Sequence, residues 1–536
     1  MAAVSPAILL PGMGHASKGD AFRVIETTTG KIRGQVRGDV AAFKGIHYGA
    51  STAGPNRFRP PQPVRPWRGV RDALRLGDQC PQTNSDYPVW LDSSPASEDC
   101  LVLNVWSPAE ATRSARLPVM VWIHGGGFTF GSAGAPFYDC GGIAGAGNVV
   151  AVGINHRLGI FGYSFFGDDG DSCFASSGNA GQLDIVAALR WVRDNIEAFG
   201  GDPSNITLFG ESGGGCKISA LLGMPSAQGL FHKAIVQSGS LVHVREQNEV
   251  LPLTRKMYDI LGTRQGDILA LQRVPTQQLL ECGDRVMSTI TGGVSPYLAA
   301  YGPVIDGYVI AEQPWSKSAP SFSYEIPMII GSTLHETAGF IGPDLSNPGQ
   351  DDEAIAVNAA KFAVLNHVDA QKVQALLPVY RKVMPSLSNS ELLVRASTDI
   401  GFWKNAVHQS ERKWASGGAP VYMYQCDWKT PCLGGMWATH GIELPFVFNN
   451  DHYGVAWDGK DSDEVRAAAD PQNMRYEVRA QMFNAWINFA KTGNPSTPDL
   501  PWPAYETTSR STMIFDQSSR VVNDPRSEIR EQVLAL

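Results

Sequence analysis

A hydroxyl becomes a useful nucleophile at neutral pH only when a base takes its proton and when fixed donors hold the negative oxygen created by attack. The stretch Thr207-Leu208-Phe209-Gly210-Glu211-Ser212-Gly213-Gly214-Gly215 offers the first part: a short apolar strand runs into a glycine-flanked serine and then into an expected helix. Glycine on both sides suits a sharp strand-to-helix turn, where the serine sits in a strained backbone conformation and a neighbouring Cβ would clash. The helix start also turns its unpaired N–H groups and partial positive charge toward that oxygen. In a chain with 56 glycines the bare G-x-S-x-G pattern is weakly specific. A second source of donors is His124-Gly125-Gly126-Gly127-Phe128, where glycines let main-chain N–H groups point inward without a side chain in the way. Downstream, Glu336 in Gly331-Ser332-Thr333-Leu334-His335-Glu336-Thr337 and His440 in Ala438-Thr439-His440-Gly441 supply a carboxylate and an imidazole in the order acid, then histidine. Position alone favours a surface or capping role for His440, one of 11 histidines, and a solvated loop carboxylate for Glu336.

These groups need rigid elements behind them. Pro118–Ile123 and Val149–Ile154 are continuous apolar runs, as expected of strands buried on both faces, and the first ends directly in the tri-glycine run. Ser97–Trp106 reads as an alternating strand, and Phe22–Tyr48 as short strands punctuated by glycine. Between Leu183 and Phe199 apolar residues recur at helical spacing until Gly200-Gly201-Asp202-Pro203 stops them, and Ile206–Phe209 is the strand that carries the serine turn. Further strands are expected at Lys233–Gly239, Ile326–Gly331 and Val421–Tyr424, with a late helix at Met474–Lys491. Strands alternating with helices predict an α/β fold with a largely parallel sheet covered on both faces. The stretches from about 240 to 300 and 340 to 410 read as helical insertions over one end of that sheet.

The 536 residues carry a formal net charge of −8 and no basic block, which argues against nucleic acid or an anionic membrane as a partner. No apolar run approaches the ~20 residues of a membrane-crossing helix. Residues 1–21 read as a disordered leader or the remains of a processed signal, and 22–536 as one domain. The cysteines and histidines show no zinc spacing, and attack by an activated serine needs neither a cofactor nor a metal. Cys80 and Cys100 close a short loop, as a bridge or as two buried thiols; Cys426 and Cys432 are a weaker pair. Asn205-Ile206-Thr207 matches a glycosylation acceptor but opens a buried strand, and is discounted.

Taken together, the His124–Phe128 run, Asn179-Ala180-Gly181-Gln182-Leu183-Asp184, Gly200–Thr207 with the Gly210–Gly214 turn, Ser97–Val105, Pro303-Val304-Ile305-Asp306-Gly307 and Trp502-Pro503-Ala504-Tyr505 resemble the type-B carboxylesterases, the family that includes the cholinesterases. The likeness runs from about residue 22 to 530, and the ending Thr512–Asp516 with Asn523-Asp524-Pro525 is more like bacterial members. It implies an α/β-hydrolase fold with a gorge formed by helical insertions. It also implies a serine hydrolase of small-molecule carboxylic esters, with Ser212 as nucleophile, His440 as base and then acid, Glu336 as the carboxylate that orients it, and Gly126, Gly127 and Gly213 as oxyanion hole. Glu98 and Arg157 match a buried ion pair of the family, and Cys80 and Cys100 its first disulfide, which would favour a secreted or periplasmic protein. Ser238 matches a position beside the triad, with a plain turn serine as the alternative.

On the substrate side Trp90, Phe128 and Phe340 are expected as gorge wall, with plain core aromatics as the alternative, and Glu211 as a source of negative potential or as a satisfied structural carboxylate. Trp90 stands where cholinesterases hold a quaternary ammonium. The aromatic expected just after the acid is replaced by Gly339, and the tryptophan expected soon after Ser240 is missing, so bulky esters are a better expectation than choline esters. Amide or carbamate cleavage by the same triad, and a non-catalytic binding protein on the same scaffold, are the alternatives. The sequence does not indicate an oligomeric state.

Overall fold

The computed structural model describes residues 21–83, 92–167, 169, 171–291, 301–341, 351–366, 368–450 and 463–536. Of the expected leader, residues 1–20 lie outside the described residues, and residue 21 opens the first strand. Thirteen strands form one sheet: β1 (Ala21–Glu26), β2 (Lys31–Arg37), β3 (Val40–His47), β4 (Val70–Asp72), β5 (Val102–Pro108), β6 (Leu117–Ile123), β7 (Val150–Ile154), β8 (Gly201–Glu211), β9 (Lys233–Gln237), β10 (Met328–Thr333), β11 (Val421–Cys426), β12 (Ser511–Phe515) and β13 (Arg520–Asn523). Their order is β1-β2-β3-β5-β7-β6-β8-β9-β10-β11-β12-β13, with β4 alongside β2. From β7 to β12 every neighbouring pair is parallel, while β1, β2, β3, β5 and β13 add antiparallel margins.

The apolar runs are continuous because the parallel strands are covered on both sides. Along β6 the pleat sends Val119, Val121 and Ile123 into one core with Ile185, Leu189 and Val192 of the helix Ala180–Asn195. It sends Met120 and Trp122 into the other, with Met482, Trp486 and Phe489 of the helix Met474–Thr492. The Ser97–Trp106 stretch departs from its expected alternation. Its strand starts at Val102 and is buried on both faces as far as Ser107, because β3 and β7 flank it while Leu103 and Val105 enter one core and Trp106 the other. The insertion between β10 and β11 has its own small core, in which Ile355, Leu377, Leu393 and Ile400 pack with Ile529 and Val533 near the chain end.

Two buried ion pairs correct the expected Glu98–Arg157 pairing. Glu98 is held instead by Arg57, through Nε at 2.8 Å and Nη2 at 2.5 Å. Arg157 is engaged by Asp184, which accepts from its Nε at 2.8 Å, its Nη2 at 2.7 Å and its main-chain N–H at 3.0 Å. Each charge thus has a bidentate partner, the geometry an arginine fork favours. Asp184→Asn leaves a buried guanidinium without its counter-charge and is expected to cost about 3–5 kcal/mol of stability. A urea midpoint within error of wild type would contradict that pairing's importance.

The expected disulfide is also corrected. Cys80 and Cys100 are both buried and unbridged. Cys80 Sγ accepts the main-chain N–H of Leu158 at 3.2 Å, and the neighbouring Cys80 thiol, with burial, holds Cys100 far above the usual thiol range and so protonated. Cys426 and Cys432 are likewise not bridged. Among the described residues, no helix is long and apolar enough to cross a membrane.

Candidate functional site

The parallel strands β6, β8 and β10 end on the same edge of the sheet, where open α/β sheets bind their ligands. Ser212 follows β8 at once. Its φ of 55° and ψ of −124° place it in a strained region that a non-glycine residue holds only when its surroundings enforce it. The enforcement is visible: its N–H donates to Gln237 O at 2.8 Å, and its carbonyl accepts from Cys216 N–H at 3.0 Å in the helix Gly213–Leu221. Only glycine fits at 214, because a Cβ there would stand 2.0 Å from Ile123 O at the end of β6.

The tri-glycine run lies against this turn. A Cβ on Gly125 would come within 3.3 Å of Ser212 Cβ, and one on Gly213 within 2.1 Å of Gly127 O. Gly126 and Gly127 have φ of +81° and +58°, backbone that glycine adopts without steric cost. Among the described residues the N–H groups of Gly126, Gly127 and Gly213 have no protein acceptor. The carbonyls of the first two peptides are engaged, however. Gly125 O faces His124 Nδ1 at 2.9 Å, and Gly126 O accepts from Thr129 N–H at 3.2 Å and Phe130 N–H at 3.1 Å. Hydrogen bonding at the carbonyl end polarises the N–H at the other.

The acid and histidine loops are tied together by reciprocal bonds, His335 N–H to Ala438 O at 3.0 Å and Ala438 N–H to His335 Nδ1 at 3.1 Å. This pairing brings His440 Nδ1 to 2.5 Å from Glu336 Oε2, while Glu336 Oε1 accepts Thr333 N–H at 2.7 Å. Phe340 and Phe402 lie on the imidazole, each with its ring centre 5.2 Å away. Phe402 and Gly401 belong to a π-helical turn, Asp399–Trp403, of the kind that recurs at functional sites. Both line a pocket that opens to solvent, with Ser212, Ser238, Ser240 and Asn405. Ser238, at φ 49°, and Ser240 are buried there, and among the described residues their hydroxyls have no protein partner.

Glu211 acts at closer range than expected. Its carboxylate is fully buried, with Oε1 3.0 Å from His440 Nε2 but off the hydrogen-bond direction. In this resting arrangement Nε2 makes no hydrogen bond to Ser212 Oγ, a contact that commonly tightens only when substrate is bound. Burial alone would lower the imidazolium's pKa. The carboxylates of Glu211 and Glu336 more than reverse this and hold it well above the ordinary histidine value. A base must be neutral to work, so Glu211→Gln, which removes one anion, is expected to move the acid limb of the kcat/KM profile to lower pH. An unmoved limb would show that Glu211 does not set this ionisation.

A third carboxyl, Glu443, was not singled out in the sequence although it stands three residues after His440. Burial, then Glu211 and Glu336, push it up to about 8, so it is protonated at neutral pH; Tyr424 Oη lies 3.2 Å from its Oε1. Phe128 is buried edge-on against Tyr163, its ring centre 5.1 Å away. Trp90 lies outside the described residues.

A mostly parallel sheet with a strand–serine–helix turn at its centre defines an α/β-hydrolase. The chain belongs to the carboxylesterase family, whose profile matches residues 21–532, and it is a serine hydrolase of carboxylic esters. It is 36% identical over 512 residues to the para-nitrobenzyl esterase of Bacillus subtilis, covering 95% of this chain and 98% of that one. It is 31% identical to mouse carboxylesterase 1C, covering 90% and 87%. A solved para-nitrobenzyl esterase and a Geobacillus stearothermophilus carboxylesterase each superpose with a TM-score of 0.81 at 35% identity, over 95% of this chain and 99% of theirs. An esterase of Clostridium hathewayi that can hydrolyse aliphatic aromatic polyesters gives 0.77 at 32% identity, over 96% and 99%.

Proposed function

We propose that Ser212, His440 and Glu336 are the catalytic triad, that Gly126, Gly127 and Gly213 form the oxyanion hole, and that the substrates are bulky esters with an aromatic alcohol or acyl part. Ser212 Oγ attacks the ester carbonyl while its proton passes to His440 Nε2, which first exchanges its Glu211 neighbour for the hydroxyl. The carbonyl π electrons move onto oxygen, which the three N–H groups receive. As the tetrahedral intermediate collapses, the alkoxide leaves with the proton from Nε2 and the acyl group stays on Oγ. Water then repeats the sequence and releases the acid. Glu336 keeps Nδ1 protonated throughout, so that Nε2 is the nitrogen that accepts.

The observation that carries this reading is the 2.5 Å contact between His440 and Glu336, made across 104 positions of sequence. It lies on the same sheet edge as a serine held at positive φ. Bulk is supported by the cavity beside Ser212 and by the glycines at 239 and 401 in its lining. The aromatic part rests on the names of the para-nitrobenzyl and polyester-hydrolysing relatives. The test is a panel of p-nitrophenyl and p-nitrobenzyl esters of graded acyl size, run beside the matching anilides. The expected result is rapid ester turnover with aryl and medium acyl groups and little anilide cleavage; equal rates on anilides would favour an amidase.

A further inference from the structure

The helix that starts at Gly213 carries Lys217 in a run of otherwise small or apolar residues, and that lysine has no exposure to solvent. A buried amine is costly unless its donors are used. Nζ donates to Gly127 O at 2.8 Å and to His124 O at 3.1 Å, and stands 5.5 Å from the centre of the Phe128 ring. The two acceptors are the first and last carbonyls of His124-Gly125-Gly126-Gly127. Three consecutive glycines have no side chains to fix them and lose the most conformational freedom on ordering. The anchor comes from outside the loop, from the same helix whose N-terminus abuts Ser212.

We propose that Lys217 is a positioning residue for the reaction: it clamps both ends of the glycine loop to the nucleophile helix, so that the Gly126 and Gly127 N–H groups stand at a fixed distance from the oxygen created by Ser212. This rests on the assignment of the oxyanion hole given above. The electrostatic setting fits a cation whose role is local. Burial pushes the ammonium down to about 7, opposed by the Cys216 thiol and Glu211. His124 and His156, stacked with ring centres 4.6 Å apart, are kept neutral by burial and then by Lys217; His124 is lowered to about 3.

A matched pair of aryl ketones separates positioning from mere stability. The trifluoromethyl ketone is attacked by Ser212 Oγ to give a hemiketal whose oxygen enters the hole; the methyl ketone reports non-covalent binding alone. Lys217→Met keeps the stem and removes the donors, and Lys217→Gln keeps an amide donor. Lys217→Met is expected to lower kcat and trifluoromethyl ketone affinity by the same ~10- to 100-fold factor, with KM and methyl ketone affinity within about threefold and Lys217→Gln intermediate. Equal weakening of both ketones overturns the proposal, as does a kcat loss without loss of trifluoromethyl ketone affinity. Failure of both variants to accumulate folded would overturn it too, by making Lys217 a requirement of the fold. If the wild-type protein binds the two ketones equally, the oxyanion assignment fails and the proposal with it.

Discussion

Ser212→Ala is expected to lower kcat for ester hydrolysis by about 10⁶-fold, the scale on which removing the nucleophile of a serine–histidine–acid set acts. The loss is large because no other hydroxyl can replace it. Ser238 and Ser240 share the cavity, but neither stands at the strand-to-helix turn against which the glycine loop is packed. The fold should not suffer, since alanine removes only a half-buried hydroxyl and relieves none of the contacts that hold residue 212 at positive φ. The measurement is single-turnover and steady-state hydrolysis beside a urea titration. Residual activity above about 1% of wild type would point to a different nucleophile.

Glu336→Gln is expected to cost about 10⁴-fold in kcat with little change in KM, as when an orienting carboxylate is replaced by its amide. The side-chain carbonyl can still accept Thr333 N–H as Oε1 does now, so the loop need not move. The amide would then present N–H to Nδ1, favouring the tautomer with the proton on Nε2, which cannot take one from Ser212. The imidazolium also loses an adjacent anion and titrates at lower pH. A loss below tenfold at neutral pH would show that the histidine is oriented by something else.

The parts of the site that local sequence determines were legible. A strand, a glycine-flanked serine and a helix are written consecutively, and the tri-glycine run directly follows an apolar strand, so Ser212, Gly126 and Gly127 could be placed without long-range information. Pairings across the chain were not. Glu98 has several arginines within reach of any compact fold, and only the path of residues 54–59 past the 271–274 turn selects Arg57, whose Nη1 caps three carbonyls there. Cys80 and Cys100 are brought together as the loop spacing suggested, yet no covalent bond joins their sulfurs. Lys217 was missed because a lone lysine in a helix reads as solvent-facing. The available signal was the run Gly213–Leu222, apolar on every side, which marks a helix buried all round. The β12–β13 hairpin was also not read as strands.

The most direct test of the central claim is intact-mass and peptide mapping after treatment with a fluorophosphonate, which phosphonylates a serine only where a base and an oxyanion hole serve it. One adduct per chain is expected, on Ser212, absent from Ser212→Ala and formed far more slowly in His440→Ala. An adduct on another serine, or labelling that persists when Ser212 is replaced, would contradict it.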